Sequence, residues 1–144
     1  MRYKCFVPER TARRFVIVGR TGDDALEELT KFARSQQVVS AQFSGVGGFQ
    51  RAVLAYYNTQ SKTYEYIPVD EQVEVVSING NIALYKGDLR IHAHCVVGHR
   101  DGHTTGGHLL EAIVRPTLEL MLEELADAIE RKDNAEAGIP LIEV

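Results

Sequence analysis

From Val38 onward the chain is built almost entirely of short β-branched or aromatic segments separated by turns rich in glycine, asparagine and aspartate. Helical spacing stands out in one place upstream of them. Leu26, Leu29, Phe32 and Ala33 recur at three- and four-residue intervals, which predicts an amphipathic helix over residues 23–36. Thr21 is placed to cap it, and Asp23 and Asp24 suit the positive end of its dipole. One helix among many strands closed by tight turns is the pattern of an α+β fold on a largely antiparallel sheet.

Strands are expected at 14–20, 38–44, 50–57, 63–67, 73–78, 82–85, 89–97 and 107–114. Gly45-Val46-Gly47-Gly48 precedes a strand-like run, not a helix. It therefore reads as a tight turn or bulge and not as a phosphate cradle. Asn79-Gly80-Asn81 reads as a turn or bulge, and Arg100-Asp101-Gly102 as a hairpin turn. Residues 116–125 (PTLELMLEEL) fit either a strand or a helix. At 144 residues the chain is expected to be a single domain, 1–144, with a leader at 1–13 and a polar tail at 126–144 holding a short helical turn.

All five histidines lie between His92 and His108. In a strand, residues two apart share a face. Leu89, Ile91, Ala93, Cys95 and Val97 form an apolar face, which leaves Arg90, His92 and His94 on the other. His92 and His94 then stand ~6–7 Å apart at the backbone, near enough to bind one ion. Cys95, on the opposite face, reads as a buried filler.

A third ligand has to come from the next strand. A two-residue turn at Asp101-Gly102 would pair Cys95 with His108 and turn His108 toward the core. For His108 to join His92 and His94 the register must shift by one, through a three-residue loop or a bulge. The glycine pair Gly106-Gly107 is where a bulge is expected, and the consequence is that His94 pairs with His108. Three imidazoles with an open fourth position are a catalytic type of zinc arrangement, although the same donors also suit copper, nickel or iron. His99 and His103 flank the hairpin turn and read as solvated turn residues.

Cys5 and Cys95 show no CxxC spacing and are too few for a disulfide framework, so a reducing cytoplasm is the expected location. No apolar run approaches the ~20 residues of a membrane span, and residues 1–15 show no apolar signal segment. The net charge is −4, and the one basic concentration, Arg10, Arg13, Arg14 and Arg20, reads as part of a solvated, irregular leader. Intrinsic DNA binding is not expected of such a chain.

Several motifs together resemble the PPC domain family (plants and prokaryotes conserved, DUF296), in its prokaryotic form. They are Ser44-Gly45-Val46-Gly47, the Tyr56-Tyr57 hairpin running to Tyr64, Ser77-Ile78-Asn79-Gly80-Asn81, Leu89-Arg90-Ile91-His92-Ala93-His94 and Gly106-Gly107-His108-Leu109-Leu110-Glu111. The resemblance spans about residues 14–125. It implies a homotrimer, and it implies that His92, His94 and His108 match histidines that hold a metal, zinc first among them, in some prokaryotic members.

In plant members the domain mediates protein association, while separate AT-hooks bind DNA. Bacterial members carry a DNA-binding label by that link. This chain has no AT-hook. The fold also resembles that of acetolactate decarboxylase, which implies an alternative: a metal-dependent enzyme, lyase or hydrolase in type, acting on a small carbonyl or carboxylate compound. In that reading Arg90 holds a carboxylate, Asn81 donates a hydrogen bond, and Glu111 acts as acid or base if a bulge turns it inward.

Overall fold

The computed structural model describes residues 2–6 and 13–143. In chain order the elements are β1 (Arg2–Phe6), β2 (Arg14–Arg20), α1 (Ala25–Ser35), β3 (Ala41–Asn58), β4 (Thr63–Val69), β5 (Val73–Tyr85), β6 (Asp88–Gly98), β7 (Thr104–Glu124), β8 (Glu130–Asn134) and β9 (Ile139–Glu143). The α+β expectation holds, with one helix against a sheet that is antiparallel except where β8 runs parallel to β5.

The sheet runs β1-β2-β7-β3-β5-β8-β9, with β4 on β3 and β6 joined to both β5 and β7. Strands β3, β5, β6 and β7 thus each pair with two others of the four and close a ring. Closure removes the exposed edges that an open antiparallel sheet would present. Three strands change partners along one edge. β3 runs from β5 to β4, β5 from β3 to β8, and β7 from β6 to β2.

The glycine cluster makes this bending possible, and it does so inside a continuous strand. The register of β3 slips between Gly45 and Gly47 against β5, and between Gly47 and Phe49 against β7. A Cβ on Gly45 or Gly47 would lie 2.3 Å from the carbonyl oxygen of Glu119 or Thr117. Only residues without a side chain let the β3 and β7 backbones approach this closely.

Asn79-Gly80-Asn81 is likewise no turn. It lies in the middle of β5, where a Cβ on Gly80 would meet the Phe43 ring at 2.4 Å and the carbonyl of His92 at 2.5 Å. The glycine serves close packing rather than chain reversal.

The helix begins at Ala25, and its cap is Asp24, not Thr21. The Asp24 carboxylate accepts from the amides of Leu26 (3.1 Å) and Glu27 (2.9 Å). Thr21 instead donates to the carbonyl of Pro116. Leu29, Phe32 and Ala33 are buried, and Phe32 meets Phe15 of β2 edge to face at 5.1 Å. The ambiguous segment 116–125 is strand: Leu118, Leu120 and Leu122 are buried while Met121 is 55% exposed, a period of two.

Both ends of the chain depart from expectation. Residues 2–6 form a strand paired with β2, so that part of the leader is ordered structure. Arg10 lies outside the described residues. Arg13 and Arg14 are committed to Glu124 and Glu123 by paired hydrogen bonds. The tail forms the β8–β9 hairpin instead of a helical turn. Among the described residues no helix is long and apolar enough to cross a membrane.

Candidate metal centre

Strand parity on β6 is as the sequence predicts. Ala93, Cys95 and Val97 are buried, and Leu89 and Ile91 pack against the core. Arg90, His92 and His94 lie on the opposite face. Cys95 is a free, buried thiol whose pKa is pushed up to about 12 by its apolar surroundings, as expected of a filler.

His94 pairs directly with His108 across β6 and β7. The one-residue shift this requires is made at the turn and not at Gly106-Gly107. His99 donates its amide to the carbonyl of His103, and Gly102 donates to the carbonyl of His99, both at 2.9 Å. These bonds leave a three-residue loop, Arg100-Asp101-Gly102, with Gly102 at φ +88°, the left-handed position such loops need.

From Gly98–Thr104 to His94–His108 the ladder is unbroken. Gly107 has a different role: a Cβ there would lie 2.7 Å from the carbonyl of Ala55, so the glycine admits β3 beside His108.

The three rings converge. Their centroids are 5.0 Å (His92–His94), 5.0 Å (His92–His108) and 5.3 Å (His94–His108) apart. One nitrogen from each lies within 4.8 Å of the others, and His92 Nε2 is 3.1 Å from His94 Nε2. Burial, together with the neighbouring His108, Arg131 and His94, lowers the pKa of His92 to about 4. Burial, then His94 and Arg131, lowers that of His108. Both rings therefore stay neutral, the ligating form, below the usual imidazole range. Three converging imidazoles fit a divalent transition metal.

The β8–β9 hairpin supplies a residue that the sequence reading missed. β8 joins the end of β5, pairing Tyr85 with Arg131. The turn that follows is held by Tyr57 and Lys62, which donate to the carbonyls of Ala137 and Ala135. Arg131 is thereby laid over the histidine face. Its Nη2 donates to Asn81 Oδ1 at 2.8 Å and to His92 Nδ1 at 3.2 Å, and its Nη1 donates to the carbonyl of Pro140 at 3.3 Å. Its Nε is buried without a partner.

With Nδ1 as acceptor, the single proton of His92 sits on Nε2 and is donated to His94. The tail does carry a signal for this hairpin: Gly138 followed by the apolar run Ile-Pro-Leu-Ile at 139–142. What the sequence hides is the contact, since Arg131 lies 39 residues from His92.

Of the other expected site residues, Asn81 sits opposite His92 and accepts from Arg131. Arg90 lies over the Tyr85 ring at 5.5 Å and lines a cleft of about 340 Å³ with Tyr64, His92, His108, Arg131 and Pro140. Tyr64 packs on the His108 ring at 5.1 Å. Glu111 is exposed, pairs with Val53 beside a register slip, and does not line the cleft.

His99 is not a solvated turn residue. Its side chain is only 9% exposed, held between Glu71 (2.7 Å) and Thr105 (2.8 Å) and stacked on His103 at 3.9 Å. His103 is exposed and bonds to Asp101.

Fold and site together define a small ring-closed α+β domain with an outward-facing three-histidine centre beside an open cleft. A family model described as the Plants and Prokaryotes Conserved domain (PCC, also written PPC) matches residues 7–126. The chain belongs to this family.

Among solved structures it is similar to a PPC protein of Pyrococcus horikoshii, with TM-score 0.87 and 28% identity over 99% of this chain and 95% of that one. It is also similar to a metal-containing protein of Archaeoglobus fulgidus, with TM-score 0.86 and 25% identity over 100% and 99%. A candidate DNA-binding protein of Bacteroides thetaiotaomicron shares the fold, with TM-score 0.89 at 23% identity over 98% and 96%.

A curated relative, the bifunctional protein GlmU of Synechococcus sp. (strain JA-3-3Ab), is 32% identical over 112 residues, 76% of this chain. The match takes up only 16% of that protein's length.

Proposed function

We propose that this chain is a metal-binding PPC module that holds zinc through His92, His94 and His108 and assembles as a homotrimer. The observation that carries the metal reading is the convergence of three imidazoles from two paired strands, with a cleft beside them. The metal content of the Archaeoglobus relative supports it. Metal analysis of protein purified without a nickel column tests it. About one zinc per chain is expected, and its absence from both native and zinc-dialysed protein overturns the reading.

Assembly has its own support. Val46, Val76, Val96 and Met121 are 53%, 55%, 39% and 55% exposed on adjoining strands β3, β5, β6 and β7. Apolar side chains grouped on one face mark a surface that is covered. A second copy of this chain is the occupant that the family resemblance implies. Light scattering should give three chains, and Val76→Glu should give monomers.

An enzymatic reading is favoured by one specific observation, the cleft with Arg90 and Arg131 beside the histidines. A zinc ion held there supplies Lewis-acid polarisation of a carbonyl. The chain's own contribution is to bind and orient a small carbonyl or carboxylate compound through its guanidinium groups. Turnover that disappears in His94→Ala would establish it.

Intrinsic DNA binding has weaker support, resting on the names of structural neighbours. The net charge is −4, and Arg13 and Arg14 are taken up by glutamates. Retention of duplex DNA at physiological salt, with a steep salt dependence, would restore that reading.

A further inference from the structure

We propose that Arg131 is the receptor for the carboxylate of a small organic ligand that fills the cleft beside the histidine triad. This rests on the metal reading above and names the class of compound the site takes.

The charge of the cleft is one-sided. Arg90 and Arg131 both line it, and among the described residues no aspartate or glutamate does. Arg131 spends its described hydrogen bonds on neutral groups: an amide oxygen, a backbone carbonyl and a histidine nitrogen. Its Nε is buried and unpartnered. A guanidinium normally matches its fork of donors to a carboxylate or phosphate. Among the described residues no carboxylate supplies that acceptor.

The present contact between Arg131 and His92 is also incompatible with metal ligation through His92 Nε2. A neutral imidazole has one proton. When Nε2 gives its lone pair to an ion, the proton must stand on Nδ1, where it faces Nη2 of Arg131, a group that only donates. Two donors cannot satisfy each other. Loading the site therefore turns Arg131 away from His92, and it needs an acceptor within reach. A carboxylate in the cleft accepts from Arg131, and it also accepts from His92 Nδ1–H if it reaches that far.

Size and lining select the rest of the ligand. A volume of about 340 Å³ is at the small end of ligand sites. The Tyr64 ring and Pro140 offer apolar walls, which suit a short carbon body. Among the described residues the one helix, α1, contributes nothing to the cleft lining, whereas an inorganic phosphate site commonly has a helix N-terminus.

The test uses the full chain loaded with cobalt(II), whose visible spectrum reports entry of a ligand beside the ion without any turnover. The probe is pyruvate, with inorganic phosphate as a second arm. Pyruvate should change the spectrum saturably, and Arg131→Gln should raise its half-saturation concentration by about tenfold or more. Cobalt affinity should not fall, because the Arg131–His92 contact competes with ligation, and Arg131→Lys should recover only part of the lost pyruvate binding.

Equal pyruvate binding by Arg131→Gln and the parent overturns the proposal, as does the lack of a saturable response. Phosphate binding as tightly as pyruvate overturns the carboxylate assignment. If cobalt does not bind, the metal reading fails separately. Line broadening of carbon-13 pyruvate on the metal-free protein and its Arg131→Gln and Arg131→Lys variants then decides the role of Arg131. Circular dichroism confirms that each variant is folded.

Discussion

His94 stands directly opposite His108, and the partner that places it there is a loop of three residues rather than two. A strand pair has a side-chain period of two, so one residue of loop length decides whether His108 faces His92 and His94 or the core. The metal centre is in this sense a property of the His99–His103 pairing that closes the turn Arg100-Asp101-Gly102.

Shortening that turn should leave the centre in place. Deleting Arg100 leaves Asp101-Gly102 as a two-residue turn that still closes His99 against His103, so His94 keeps facing His108. Zinc affinity, measured by competition with a chromophoric chelator, should be retained. A fall of about 100-fold, as for loss of a ligand, would show that His99 and His103 no longer pair.

His108→Ala keeps the register and removes one ring, so it should weaken zinc at least about 100-fold. His99→Ala is the contrast. His99 is nearly buried between Glu71 and Thr105, away from the triad, so zinc affinity should hold while the melting temperature drops. Loss of zinc in His99→Ala would place a ligand in the wrong cluster.

Gly80→Ala tests the packing beneath the site. The new methyl would lie 2.4 Å from Cζ of the buried Phe43 and 2.5 Å from the carbonyl of His92. Phe43 has little room to yield, so β5 and β6 must separate. A loss of ~1–3 kcal/mol in denaturant unfolding is expected, together with weaker zinc binding, because His92 moves with its carbonyl. Unchanged stability would mean the strands accommodate the methyl freely.

The start of β2 and the end of β7 are tied by an ion pair with a readable pH signature. Arg13 donates to both carboxylate oxygens of Glu124, at 2.6 and 2.7 Å, and holds its pKa below the ordinary 4.5. The unfolded chain thus takes up the proton at higher pH than the native one. The stabilisation is complete above about pH 4.5 and is lost as pH falls below it. Glu124→Gln should cost ~1 kcal/mol at neutral pH, since the pair is partly solvated, and less at pH 2. An equal cost at both values would assign the loss to packing.

Much of the fold can be read directly in the chain. The helix, the strand segments and the inward and outward faces of β6 follow from local periodicity, because burial of alternate side chains is a local choice once a strand forms. The same periodicity puts His92 and His94 side by side. It also leaves alternatives that local rules cannot separate. Gly45–Gly48 and Asn79–Asn81 read as turns or bulges, because turns, bulges and close backbone approach all call for small residues, and a register slip is indeed present at Gly45–Gly48. Only the neighbouring carbonyls of Glu119, Thr117 and His92 show that close approach is their use.

What tertiary structure alone decided is the content of the site. A shift of one residue in the β6–β7 hairpin is nearly invisible in sequence, since two- and three-residue loops can both be built from Arg100-Asp101-Gly102. Arg131 is invisible for a different reason: its place depends on β8 pairing with the end of β5, a contact between segments whose local patterns contain no record of each other. The sequence by itself determined that two histidines share a polar face. Pairing across the sheet, with its non-local backbone hydrogen bonds, determined that a third joins them and that an arginine from the tail lies against them.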